Sequence, residues 1–366
     1  MSRIRAISEI VRKNEADAML LTGEVNLIYA TGETALEGQC IISADGTAVF
    51  VTDGRYTEVA DAQLTPQGFS VLERSTVTPT GAFLQNLLAE KDIKRLLYED
   101  DVLTVQQFAA LRAQLKCELV PLAGQLAALR ACKSEEEVRC IVQAQRIAEA
   151  ALETLWTKLY TGMTEREAAA LLNYEMALLG SEKPSFDTIL LFGENTSKPH
   201  GVPSDRKLRP GDFVLADFGA VCHGYHSDMT RTAAYGSATD EMRRVYETVL
   251  AAQAAAESVA AAGVPCSEMH KAAAAVIEAA GYGEYFTHAL GHSVGLEIHE
   301  SPVASLRCDE PLQNGIIMTD EPGIYIAGKF GVRIEDMLLI DGDTPQNLTK
   351  APKALRVLDA VSPADR

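Results

Sequence analysis

Three of the seven histidines in this chain fall within residues 288–300, HALGHSVGLEIHE, and none precedes His200. Near neutral pH an imidazole can ligate a metal, move a proton or donate a hydrogen bond. His288 and His292 have the i,i+4 spacing that on a helix makes a zinc pair. Gly291 and Gly295 argue against a long helix there and for backbone passing close to something. What this segment does depends on which other groups reach it.

Two pairs of carboxylates are candidates. In LADFGAVCHGYHSDMTRT, Asp217 ends an apolar strand, His223-Gly224 reads as a tight turn, and Asp228 lies on the returning strand. A hairpin there sets Asp217 and Asp228 opposite each other or one diagonal apart. In TDEPGIYIAGKFGVRIEDML, Glu321 and Glu335 are centred on Gly328, so a turn through Ala327-Gly328-Lys329 makes them cross-strand neighbours. A single acid beside a hairpin is more often solvated. These four instead interrupt runs that read as core, and four inward-facing carboxylates in one cavity repel one another unless cations hold them. One imidazole with four carboxylates suits two hard or borderline divalent ions, an arrangement that holds a hydroxide and polarises a carbonyl or phosphoryl oxygen. Two histidines of the trio are then left for proton transfer and oxyanion stabilisation. His200, in the Pro/Gly loop NTSKPHGVPSD, is a further candidate wall of the pocket. His223, His226 and His270 read as surface or structural residues.

The elements that must position these groups are legible in outline. Residues 1–124 alternate short apolar runs (AMLLTG, CIISADGTAVFVT, FSVLER, RLLYED, ELVPL) with helical stretches, which predicts a small α/β domain. It contains no histidine and no catalytic cluster. Residues 125–366 form the second domain, with a join near 125–133. Ser134-Glu135-Glu136-Glu137 has the form of a capping box that opens a long helix, and Thr164-x-x-Glu167 is a second such start. This part also contains an echo. The alanine-rich helices of 161–180 and 262–281 each carry a Gly near the start and another at the end, and GDFVLAD (211–217) and GIIMTDE (315–321) both end in a carboxylate. Two half-domains related by a pseudo-twofold, with the site at their interface, would account for it.

Composition narrows the class. At 366 residues the chain is long enough to bury a large core without disulfides. Net charge −18 argues against nucleic acid and anionic membrane as partners. Seven scattered cysteines with no C-x-x-C pair fit a reducing compartment, and no run approaches a membrane span or a signal-peptide core. A cytoplasmic location is expected.

Together, HALGHSVGLEIHE, DFGAVCHGYHSDMTRT, EPGIYI and GVRIED resemble, in that order, the pita-bread metallopeptidases of the Xaa-Pro branch, the Xaa-Pro dipeptidases (prolidases) and Xaa-Pro aminopeptidases. The resemblance implies an α/β (α+β) architecture: a creatinase-like α/β N-terminal domain, then a pita-bread domain. It implies five metal ligands: Asp217, Asp228, His292, Glu321 and Glu335. Asp228 and Glu335 would bridge two divalent ions, with Mn²⁺ expected and Co²⁺ or Zn²⁺ as alternatives. Glu321 would also carry a proton, His299 would stabilise the tetrahedral intermediate, and His200 and His288 would line the substrate side. His200 is counted with the catalytic set as well. Arg333 would orient either the site or a substrate carboxylate. The implied partners are peptides with proline second, and the implied assembly is a homodimer.

Two departures stand out. Ser293 replaces the usual glycine after the ligand histidine, and strain follows if that position needs positive φ. Lys198 stands where an apolar or small residue is usual. Three other readings use the same fold: a creatinase-like enzyme, which dispenses with metal; a methionine aminopeptidase-like enzyme, which lacks such an N-terminal domain; and a non-catalytic binding protein, which loses the ligands.

Overall fold

The apolar runs of the first third become a six-stranded mixed sheet. Its strands are β1 (Ala18–Leu21), β2 (Gln39–Ser43), β3 (Ala48–Thr52), β4 (Phe69–Glu73), β5 (Arg95–Tyr98) and β6 (Glu118–Pro121), in the order β4-β3-β2-β1-β5-β6. Asp45-Gly46 closes the β2–β3 hairpin, with Gly46 at φ 91°, where a side chain would be strained. Helices α1 (Arg3–Lys13), α2 (Glu24–Thr31), α3 (Thr57–Leu64), α4 (Thr80–Glu90) and α5 (Val105–Gln114) alternate with these strands. This computed structural model describes residues 3–75 and 77–362.

The chain separates into two compact units, Met1–Arg130 and Ala131–Arg366. Helix α6 (Gln125–Ala131) ends the first. Its Leu126 and Arg130 are buried, Asn14 Nδ2 donates to Gln125 Oε1 at 2.9 Å, and Arg130 donates to Asn26.

In the second unit the two capping boxes form. Ser134 opens α7 (Glu135–Lys158) and Thr164 opens α8 (Glu165–Leu178), each exchanging hydrogen bonds with the glutamate three residues on. Strands β7 (Ile189–Phe192), β8 (Phe213–Phe218), β9 (Val221–Cys222), β10 (Tyr225–His226) and β11 (Met229–Tyr235) follow. Helices α9 (Asp240–Val259) and α10 (Cys266–Ala279) come next. The last strands are β12 (Gly291–Ser293), β13 (Glu300–Ala304), β14 (Ile317–Asp320), β15 (Gly323–Ile326), β16 (Phe330–Arg333), β17 (Asp336–Leu339), β18 (Gln346–Asn347) and β19 (Arg356–Leu358).

Two sheets carry the site, β19-β11-β8-β7 and β13-β12-β14-β17-β18. Each has its own core. Leu152, Leu155, Leu172 and Met176 of α7 and α8 pack with Leu190, Val214 and Ala216 of the first sheet. Val245, Val249, Met269 and Ile277 of α9 and α10 pack with Met318 and Leu338 of the second. The echo in the sequence is therefore a repeated helix pair laid on a largely antiparallel sheet. Gly180 and Gly281 end the matching helices α8 and α10 at φ 98° and 82°, the left-handed stop that glycine allows.

Candidate metal centre

Asp217 lies on β8, all six of whose residues are buried. Strand β8 pairs with β11 in the register Asp217↔Thr230 and Phe218↔Met229, which leaves Asp228 just past the ladder and diagonal to Asp217. The turn between β9 and β10 falls on His223 and Gly224, at φ 51° and 76°. Asp320↔Asp336, in the β14–β17 pair of the other sheet, and Gly323↔Arg333, in the separate β15–β16 hairpin, flank Glu321 and Glu335 and set them opposite each other. Gly328, at φ 74°, turns the intervening hairpin.

These hairpins bring the acids together. Carboxylate oxygens of Asp217, Asp228 and Glu335 lie within 4.8 Å of one another. His292 Nε2 stands 3.6 Å from Asp228 Oδ2 and 3.5 Å from Glu321 Oε1. Its Nδ1 lies 3.1 Å from the Ser293 carbonyl oxygen; donating there fixes the tautomer and aims the Nε2 lone pair at the acids. Burial holds the His292 imidazole down to about 4, with His299 adding to the effect, so the ring is neutral and fit to be a ligand.

The electrostatics are lopsided. Burial, then repulsion from Asp217 and Glu321, pushes the Asp228 carboxyl well above its ordinary range. Glu335 rises through burial, then Asp228 and its other acidic neighbours. Glu321 rises through burial, against the pull of Arg333. Four carboxylates face the single guanidinium of Arg333, which leaves an excess of negative charge in a buried site. Asp228 Oδ1 is buried without a hydrogen-bond partner among the described residues. An oxygen-rich set with one imidazole and no thiolate fits divalent cations of hard or borderline character, whose charge would offset the excess.

Around the acids runs a shell of donors. Thr230 Oγ1 donates to Glu335 Oε2 at 2.6 Å and accepts from Arg333 Nε at 3.0 Å. Thr319 Oγ1 donates to Glu321 Oε1 at 3.1 Å and accepts the His292 N–H at 2.9 Å. Arg333, 3 % exposed, pairs with Asp217 and donates to Tyr325 Oη at 2.7 Å and to the Pro199 carbonyl at 3.4 Å. Tyr325 Oη lies 2.9 Å from His288 Nε2, and His288 Nδ1 lies 2.7 Å from the Ala289 carbonyl oxygen. That carbonyl can only accept, so Nδ1 carries the proton and Nε2 accepts from the tyrosine. Both nitrogens of His288 are engaged within the protein.

The cavity beside this cluster measures about 460 Å³. All nine residues singled out in the sequence line it: His200, Asp217, Asp228, His288, His292, His299, Glu321, Arg333 and Glu335. Phe186, Ile189, Ile298 and Val303 supply apolar wall. His299 packs against His292, ring centroids 4.3 Å apart at 65°. His200 is exposed at the mouth.

The remaining sequence features fall outside this wall. His226 and His270 are buried: His226 Nδ1 is 2.9 Å from Ser185 Oγ, and His270 Nδ1 accepts the Leu290 N–H at 3.1 Å. His223 is exposed. Ser293 keeps negative φ on β12, so the strain that glycine would have relieved does not arise. Lys198 Nζ donates to Asn195 Oδ1 at 2.7 Å. The glycines of the histidine segment press mainly on protein. A Cβ on Gly291 would meet Thr319 O at 2.0 Å, and one on Gly295 would meet the Glu300 carboxylate at 2.5 Å.

Thr230, Thr319 and Tyr325 were not singled out by the sequence. Tyr325 stands inside the quoted EPGIYI, Thr230 follows Met229 on β11, and Thr319 follows Met318 on β14. Thr230 meets Glu335 and Arg333, Thr319 meets His292 and Tyr325 meets His288 across distant segments that local pattern does not connect.

Comparison with known proteins agrees with this geometry. Residues 139–342 match metallopeptidase family M24, and residues 3–132 match the creatinase/prolidase N-terminal domain. An Xaa-Pro dipeptidase of Pyrococcus horikoshii is 34% identical, covering 96% of this chain and 98% of its own length. An uncharacterized peptidase of Bacillus subtilis, YqhT, is 39% identical over 93% of this chain and 96% of its own. The solved Xaa-Pro dipeptidase from Bacillus anthracis superposes with TM-score 0.92 at 35% identity, covering 97% of this chain and 99% of that one. The X-Pro aminopeptidase from Thermotoga maritima gives 0.91 at 34% identity, with 95% and 99% covered.

Proposed function

This chain belongs to metallopeptidase family M24, and from that membership we propose that it hydrolyses the bond between an N-terminal residue and a following proline. Relatives and structural neighbours named as Xaa-Pro dipeptidases and an X-Pro aminopeptidase support the specificity. The observation that carries the reading is the convergence of Asp217, Asp228, His292, Glu321 and Glu335 on one wall of a peptide-sized cavity. These five would hold two divalent ions, with manganese as the proposed physiological metal. When bound, such ions supply Lewis acidity and a deprotonated water at neutral pH.

The chain's own residues supply the rest. A Xaa–Pro bond is a tertiary amide with no N–H to offer, and its leaving group is a secondary amine that must be protonated. Glu321 is the proposed carrier of that proton to the proline nitrogen. His299 would donate to the oxygen that gains charge as the carbonyl becomes tetrahedral. His200 and His288 wall the substrate side. Because both nitrogens of His288 are engaged, its contribution is shape rather than a hydrogen bond. Arg333 is assigned to orienting Asp217 and Tyr325, since its guanidinium is already satisfied by protein. A dimeric assembly is expected from the family resemblance. A reducing, cytoplasmic setting is supported by seven cysteines that remain free thiols.

The test is hydrolysis of Ala-Pro, Ala-Pro-Ala-Ala and Met-Ala by metal-reconstituted protein, repeated with Glu335→Gln. Cleavage of a proline peptide and not of Met-Ala is expected, and it should be lost in the variant. Which proline peptide is cut separates dipeptidase from aminopeptidase. Equal rates for Glu335→Gln would overturn the assignment.

A further inference from the structure

Lys133 and Glu300 form an ion pair deep in the second unit, with side chains 1% and 5% exposed. Nothing in the proposed chemistry uses either. The pair spans 167 residues of sequence, and a buried charge without its partner is strongly unfavourable, so its location calls for a reason.

Lys133 is fixed first. It stands just ahead of the capped start of α7, its N–H donates to the Gly315 carbonyl at 2.8 Å, and its Nζ donates to the Ala131 carbonyl at 3.0 Å and to Glu300 Oε2 at 2.9 Å. Glu300 passes that fixity on. Its other oxygen, Oε1, accepts the N–H groups of Leu296 at 3.1 Å and Glu297 at 3.3 Å. The carboxylate thus reaches back across the loop joining β12 to β13 and ties its main chain. Gly295 is where it presses: a Cβ there would sit 2.5 Å from Glu300 Oε2. The His226 N–H holds the same turn by donating to the Gly295 carbonyl at 2.9 Å. Residue 299, next to Glu300, is the histidine that lies against His292 and faces the cavity.

We infer that the Lys133–Glu300 pair is a positioning device for His299: the lysine locks the carboxylate, the carboxylate locks the 294–299 loop, and the loop sets where the imidazole meets the substrate oxygen. This rests on the reading of His299 as the group that stabilises the tetrahedral intermediate. It makes Lys133 and Glu300 positioning residues with no contact to substrate or metal.

The test is a coupling experiment. Lys133→Met, Glu300→Gln and the pair Lys133→Met/Glu300→Gln are each made alone and with His299→Ala, and kcat, KM and bound metal are measured per folded protein. A displaced catalytic group can lower rates by roughly 100-fold, so a fall in kcat of about that size is expected in the single variants, with KM and metal content close to the parent's. In the His299→Ala background the same substitutions should lower kcat by less than about threefold, because the group they position is gone. The double variant removes both charges and leaves none unpaired, which keeps the test open if Lys133→Met does not fold. Equal losses in both backgrounds, or a kcat that falls only in step with bound metal, would overturn the inference. Full activity of His299→Ala by itself would instead overturn the role given to His299, and the positioning role with it.

Discussion

Thr230 Oγ1 lies 2.6 Å from Glu335 Oε2 and donates its proton to it, while accepting from Arg333 Nε at 3.0 Å. The hydroxyl therefore sets the orientation of one proposed ligand carboxylate and ties it to the arginine that pairs with another. Thr230→Val keeps the shape and removes both bonds. Loss of such a supporting contact typically weakens metal binding or activity by 10–100-fold. A drop of about that size in Mn²⁺ affinity by titration calorimetry is expected, with the fold retained by circular dichroism. Unchanged affinity would remove Thr230 from the account.

Asp228 carries the clearest sign of a site built for cations. Its carboxylate is buried against Asp217 and Glu321, and one oxygen has no hydrogen-bond partner among the described residues. Repulsion of this kind destabilises the protein when metal is absent and is relieved when metal binds. Asp228→Asn should therefore melt higher than the parent in EDTA, yet show a much smaller rise in melting temperature on adding Mn²⁺. A lower melting temperature in EDTA would contradict the picture of an overcharged pocket.

These relationships show where sequence reasoning reaches and where it stops. Asp217, Asp228, Glu321 and Glu335 were legible because a carboxylate inside an apolar strand is locally anomalous, and because His223-Gly224 and Gly328 mark turns that fold each acid back on its partner. The capping residues Ser134 and Thr164 were legible for the same local reason. The engagement of His288 by Tyr325 and the clasp of Glu300 by Lys133 were not, since each depends on side-chain placement between distant segments. Gly295 illustrates the difference. Its type signalled a close approach, but only the fold shows that the neighbour is Glu300.

His270 offers a pH test away from the proposed ligands. Burial holds its imidazole below the ordinary value, and its Nδ1 accepts the Leu290 N–H, a role open only to the neutral ring. The unfolded chain thus binds a proton at this residue in the range where the folded one does not. Stability from this residue is fully present above pH 6.5 or so and is lost as pH falls below it. Replacing it by Gln removes the titration. The difference in melting temperature between parent and His270→Gln should shrink between pH 7.5 and 5.5, and a difference constant over that span would rule the effect out.

Gly291 sets a tight steric limit next to the proposed metal centre. A Cβ there would lie 2.0 Å from the Thr319 carbonyl oxygen and 2.6 Å from its Oγ1, distances at which the main chain of β14 would have to move. Thr319 Oγ1 is the atom that accepts the His292 N–H and donates to Glu321, so the displacement runs straight into two proposed ligands. Gly328 makes the contrasting case. It needs left-handed backbone at φ 74° but has open space around it, so Gly328→Ala should lower stability by only about 1 kcal/mol. Gly291→Ala has no such escape, because backbone meets backbone on a buried strand, and overpacking of this kind commonly removes 1–3 kcal/mol or more. Parallel thermal melts of the two variants, with bound metal measured in each, should show a larger loss for Gly291→Ala and metal lost only there. Equal melting temperatures and full metal content in both would mean that β12 and β14 are not packed as tightly as the structure has them.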